Sequence, residues 1–177
     1  MSYIQNYPLL PALDKIVRHD QLPTNARIIG KLREGNNSDD ILLLFIKRNN
    51  HLSILETYTT IWKTGPVYSC DQYDFPLKVL SWFPKALEEF RKPPAEGGLH
   101  AGAMISKDED VDGEMLAVGS TTRGYDITNW SRHADGVDGD PQFYRPTDLS
   151  LDYELLYDHG LLDLWKSLGE KYERGEL

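Results

Sequence analysis

The chain of 177 residues has a single cysteine, Cys70, so it can form no internal disulfide and no cysteine-based zinc site. A lone thiol of this kind usually behaves as a small buried hydrophobe, and the lack of disulfides fits a reducing cytoplasm. No apolar run approaches the roughly 20 residues that a membrane helix needs. The mean hydropathy is −0.49, and no charged-then-apolar start of the secretory type is present. Neither a G-x-S-x-G elbow nor a Walker phosphate loop occurs. The five histidines, His19, His51, His100, His133 and His159, form no short metal-type pair. These absences lead to the expectation of a cytoplasmic, non-membrane, non-enzymatic protein with no cofactor and no bound metal.

Positive charge is scarce, and it is uneven. The net charge is −9, but residues 1–95 carry 12 Lys+Arg against 10 Asp+Glu, while residues 96–177 carry 7 against 18. The halves therefore stand at +2 and −11. Nucleic-acid affinity rests on neutralised phosphates, so a surface for such a ligand belongs mainly to the first half. An acidic second half suits a solvated flank or a protein partner.

What the sequence does contain is organised around 124–130 (GYDITNW), where Tyr125, Ile127 and Asn129 alternate with Asp126, Thr128 and Trp130. A period of two marks a strand with one covered face. It follows the Asp112-Gly113 hairpin signal and precedes a loop, a short apolar run and a helical pattern. The same order stands upstream at an offset of 72 to 74 residues, with 50–54 (NHLSI) matching 123–127 (RGYDI) and 74–77 (DFPL) matching 148–151 (DLSL). We read a tandem repeat of one ββββα unit, giving an α+β fold of two antiparallel sheets with one helix each, packed as a pseudo-dimer. The alternative is one α+β domain with two similar hairpins.

On this reading residues 1–25 form a leader helix, because Leu9, Leu10, Leu13, Ile16 and Val17 make a helical stripe. Residues 26–92 form the first unit. Its strands are expected at 26–35, 41–47, 52–63 and, at the sheet edge, 67–73. Pro84 argues for a turn before Ser81 and a helix over 82–91. The linker is 93–98, rich in proline and glycine. Residues 99–177 form the second, acidic unit, with strands at 103–111, 114–122, 124–131 and within 142–151, then a helix over 152–174 that Gly160 bends.

Two acidic loops resemble cation sites. Asp108, Asp110, Asp112 and Gly113 match the start of a calcium loop, but the twelfth position is Gly119 rather than glutamate, which favours a plain hairpin. Asp135, Asp138 and Asp140 read as an ordinary polar loop. Cations and aromatics near the strands are more suggestive. The first unit offers Lys31, Arg33, Lys47, Arg48, Trp62 and Lys63, and the second Arg123, Trp130, Arg132, Tyr144 and Arg145. Aromatic faces stack on unpaired bases while cations meet phosphates. The competing reading packs the tryptophans under the helices and leaves the cations as rim residues.

At Tyr125-Asp126-Ile127-x-x-Trp130, followed by loop, strand and helix, the chain resembles the positive cofactor four family and, more distantly, the Whirly and Pur-type proteins. The resemblance implies paired ββββα units that bind single-stranded DNA or RNA on the sheet side, by dimerisation or tandem repeat. Trp130 then stands where the family has its stacking tryptophan, and Arg145 where a basic residue precedes the last strand. Thr128 departs from a position that is usually basic. The expected partner is single-stranded nucleic acid, in transcription or DNA metabolism, with a protein partner for the acidic unit and a homo-oligomer compatible with the pattern. The alternative function is an acidic protein-binding or inhibitory module on the same fold.

Overall fold

The computed structural model describes residues 7–34, 41–133 and 145–177. They form two four-stranded antiparallel sheets, each followed by a helix. The first sheet runs β1 (Ala26–Glu34), β2 (Ile41–Arg48), β3 (His51–Trp62), β4 (Gly65–Pro76), in that spatial order, and α1 (Val79–Arg91) follows. The second repeats the order with β5 (Glu109–Val111), β6 (Glu114–Ser120), β7 (Gly124–His133) and β8 (Pro146–Asp152), then α2 (Leu161–Glu173). Tight turns set the register. Asp112 and Gly113 take positive φ values of 51° and 87° between the paired Val111 and Glu114, the conformation that an Asp-Gly hairpin favours.

Strand alternation sorts side chains to two faces. Leu43, Phe45, Leu52, Ile54 and Phe75 of the first sheet, and Leu116, Val118, Ile127, Leu149 and Leu151 of the second, face the helices and build one core shared by both units. Neither helix keeps to its own sheet. Gly30 of β1 lies under Leu168 of α2, and Phe45 of β2 meets the Trp165 ring edge-on at 5.1 Å. In return Phe90 of α1 meets Tyr125 of β7 edge-on at 6.2 Å. The helices also pack on each other, with Phe83 against Trp165 at 4.7 Å between centroids.

That helix contact explains two breaches of helical grammar. Pro84 sits inside α1, where it offers no N–H to the Leu80 carbonyl. Gly169 of α2 packs directly on that carbonyl, and a Cβ there would lie 2.4 Å from the oxygen. The Trp165 indole donates to the carbonyl of Val79 at 3.2 Å. The first turn of α1 thus faces α2 with its carbonyls, and α1 starts earlier than the expected 82.

Several boundaries differ from expectation. β4 is longer than 67–73, because it pairs with β3 along its whole length, from His51↔Pro76 to Trp62↔Gly65. The first strand of the second unit shrinks from 103–111 to Glu109–Val111, with a separate bridge at Ile105↔Gly119. The expected helix over 152–174 splits. A π turn, Glu154–Asp158, ends at His159, Gly160 takes φ 80°, and α2 begins afresh. The two sheets are separate hydrogen-bonded ladders. The 135–140 loop and Tyr144 lie outside the described residues, as does 35–40.

Gly169→Ala is expected to drive α2 off the Leu80 carbonyl and cost about 1–3 kcal/mol. Urea unfolding reads this as a lower midpoint with an unchanged slope; a wild-type midpoint would show that the helices do not touch there.

Candidate nucleic-acid interface

The face of the first sheet turned away from the helices is aliphatic. Leu42, Leu44, Ile46 and Leu55 are buried there in a second cluster with Ile16, joined by Leu22, Ala26 and Cys70. Ile16 and Leu22 belong to the leader, which crosses this face without helix among residues 7–25. The expected leader helix is therefore corrected to an extended strap. Tyr7, Leu10, Leu13, Ile16, His19 and Leu22 are its less exposed positions, while Leu9 and Val17 are exposed. A strict period of three is the repeat of polyproline II, whose backbone groups bond outside the segment. They do so here. The Leu13 N–H donates to Asp74 at 3.0 Å and the Ile16 N–H to the Gln72 side chain at 2.9 Å. The Cys70 thiol donates to the Ile16 carbonyl at 3.2 Å. Pro8 and Pro11 lack N–H groups and suit this path better than a helix.

Two of the expected phosphate-binding arginines hold the strap. Arg48 is buried and donates to the Asp14 carbonyl at 2.7 Å. Arg132 is buried and donates to the Pro11 carbonyl at 2.6 Å. Its guanidinium is ion-paired with Glu114, which is also buried. Glu114 further accepts from Asn129 at 2.9 Å, and the His51 ring nitrogen lies 3.1 Å away. Asn129 also donates to the Asp74 carbonyl of the first sheet at 3.1 Å. The cluster thus ties β3, β4, β6, β7 and the leader into one polar joint. Burial pushes the Glu114 carboxyl up, but the bonds from His51, Arg132 and Asn129 outweigh it and hold the group at about 2.

The remaining site candidates are dispersed. Lys47 faces the helices and donates to the Leu177 carbonyl at 2.8 Å. Lys31 and Arg33 are exposed on the leader side of β1, opposite Leu44 and Leu42. Arg123 and Arg145 are exposed at the start of β7 and just before β8. Of the four tryptophans, Trp165 is sealed in the core and Trp82 is half-buried, donating to Glu109 at 2.9 Å. Trp130 is half-buried, with the leader's Tyr7 stacked beside it at 6.3 Å and bonded through its hydroxyl to Asp108. Only Trp62 is presented to solvent, 63% exposed.

Trp62 owes its exposure to the length of the β3–β4 hairpin. The last described pairing of β2 with β3 in this direction is Leu42↔Thr57, and β3 continues for five residues beyond it, paired only with β4. At about 3.4 Å per residue this two-stranded ribbon projects some 17 Å. Residues 57–70 carry one charge, Lys63, beside Trp62 at the tip. Ile61, Val67 and Tyr68 are exposed along it. Arg33 stands at its base, two strands from Thr57 in the same row. Alternation places Arg33 on the Thr57 and Ile61 side and Trp62 on the other, with Glu56.

The outer face of the second sheet is acidic. Asp126 and Asp148 lie on it with Thr128 and Ser150, and the Asp148 carboxyl is raised by burial despite a bond from Thr128, with Asp126 adding to the rise. Among the described residues no cluster of His, Cys, Asp or Glu is arranged to hold a metal, and no helix is long and apolar enough to cross a membrane. No protein-family model matches the chain, and no curated protein is similar to it in sequence.

Because the Glu114 group lies below its unfolded value of 4.5, its contribution to stability is complete above about pH 4.5 and is lost as pH falls toward 2, at most about 3 kcal/mol. Glu114→Gln is expected to cost about 3–5 kcal/mol at neutral pH by stranding Arg132 and to flatten this acid limb. Denaturant melts at pH 7, 4 and 3 read both effects; parallel acid limbs in the two proteins would rule the assignment out.

Proposed function

We propose that the chain is a non-catalytic module that binds single-stranded nucleic acid, and that its principal contact is the projecting β3–β4 ribbon. One observation carries this reading: the one exposed tryptophan of the four, Trp62, sits beside Lys63 on an arm free of acidic residues from 57 to 70. A ring and an ammonium side by side are the elements of base stacking and phosphate neutralisation. Lys31 and Arg33 at the ribbon base supply further cations, and a strand reaching both must wrap the ribbon, whose faces turn with its twist. The two ββββα units are the layout implied by resemblance to the positive cofactor four, Whirly and Pur-type proteins, and that layout supports the reading. The sheet-side ligand position of those families is displaced here, because the leader covers the outer face of the first sheet.

A second reading draws on Asp126 and Asp148: the outer face of the second sheet docks a basic protein segment. It is preferred if a lysine-rich peptide binds and oligonucleotides do not.

Fluorescence anisotropy with labelled oligo(dT) at low and high salt tests the first reading. Micromolar or tighter binding that weakens with salt is expected, with Trp62→Ala about 5- to 150-fold weaker and Lys63→Ala lowering the salt slope by about 0.7. Absence of salt-sensitive binding in the micromolar range would overturn it.

A further inference from the structure

The second unit carries a surface of the same chemistry that no sequence spacing announces. Four rings run outward from the core: Phe90 against Tyr125 edge-on at 6.2 Å, Tyr125 against Tyr153 edge-on at 5.4 Å, and Tyr153 beside Tyr157 at 6.5 Å with planes only 17° apart. The inner pair anchors the ladder, since Tyr125 is buried. The outer pair is presented, with Tyr153 at 42% and Tyr157 at 44% exposure. The π turn places them four residues apart on one side, and turns of this kind recur at functional sites.

Arg91, from the end of α1, lies over the Tyr157 ring at 5.7 Å and donates to its hydroxyl at 3.2 Å. A guanidinium has five N–H donors, so that bond leaves donors for a phosphate. Arg123 is exposed and its carbonyl accepts from the Tyr153 N–H at 2.9 Å, which puts a second cationic residue at the inner end of the pair. Tyr153 lies between two acids in the chain: Glu154 is engaged by His159 at 3.3 Å, and Asp152 is exposed.

We propose that Tyr153 and Tyr157, with Arg91 and Arg123, form a base-stacking platform on the second unit that takes an unpaired nucleobase and its flanking phosphates. The presented faces suit the ligand. A base stacks on an aromatic face at roughly 3.5 Å; the 6.5 Å between centroids is an upper limit on the gap between the two planes and is too narrow for a ring held between them, so the base stacks on a presented face of the pair. The edge-on contact with the buried Tyr125 anchors Tyr153. The platform rests on the nucleic-acid reading above, but it lies on a different unit from Trp62 and gives the acidic half its own ligand contact.

The test is photo-cross-linking of the full chain to an oligo(dT) of roughly 16 nucleotides carrying 5-iododeoxyuridine, with adducts located by mass spectrometry. Anisotropy is measured in parallel on a Tyr153→Ala/Tyr157→Ala double variant and on Tyr153→Phe/Tyr157→Phe, each checked for its melting temperature. Adducts at Tyr153 or Tyr157 are expected. So is a loss of about 5- to 150-fold in affinity with alanine that phenylalanine restores. Adducts confined to Trp62, with affinity unchanged in the alanine variant, would overturn the platform and leave the ribbon reading standing. Absence of both adducts and binding would overturn both. Tyrosine emission that responds to a proline-rich peptide and not to oligo(dT) would also overturn it, assigning the rings to a protein ligand.

Discussion

The arrangement depends on one buried pair of charges. Glu114 and Arg132 are both removed from water, and neither is tolerable there alone. Each is completed by groups from elsewhere in the chain. His51 and the Asn129–Asp74 contact come from or reach the first sheet, and Pro11 comes from the leader. A pair buried at the meeting of three segments enforces their relative position more strictly than apolar packing, because a small shift strands a charge. The shared core supplies most of the driving force, and the polar joint chooses which of the core's close alternatives is adopted.

The helix exchange follows from the same economy of surface. A four-stranded sheet of this size with one helix leaves apolar area uncovered. Here each helix reaches across to the other unit's sheet, and the two helices meet at Gly169 and the first turn of α1. The outer face of the first sheet is covered separately, by the strap. The aliphatic face is closed, and the ligand contacts we propose lie on projections instead: the β3–β4 ribbon on one unit and the tyrosine pair on the other.

Much of the fold was legible in the sequence, and the reasons for the rest are physical. Asp112-Gly113 fixes a hairpin because only a few residues accept its backbone angles, and the alternation at 124–130 shows its covered face directly. The unbroken 41–47 run announced a strand buried on both sides, which the strap explains. The leader was misjudged because a period of three and a period of 3.6 share their first repeat. Leu10, Leu13 and Ile16 satisfy both, and Pro8 and Pro11 were the signal for the extended choice. Arg48 and Arg132 looked like phosphate ligands because sequence gives charge without burial. Each also bonds a main-chain carbonyl, 34 and 121 residues away, a contact that leaves no trace in side-chain spacing. Tyr153 and Tyr157 were passed over because a continuous helix over 152–174 would have made them ordinary surface residues; the left-handed Gly160 breaks that helix, and the π turn sets the rings apart.

The strap also imposes an order on biosynthesis. Its residues leave the ribosome before any other part of the described fold, yet the Leu10 N–H bonds to the Ser131 carbonyl and Pro11 waits for Arg132. At about 5–20 residues per second, the Leu10–Pro11 end of the strap waits roughly 6 to 25 seconds for its partners, and the aliphatic face stays bare for part of that interval. The nascent chain therefore passes through a stage in which Leu42, Leu44 and Ile46 are available to a chaperone before β4 emerges with the leader's partners, and the Leu10–Pro11 end of the leader is fixed only once the second half has arrived.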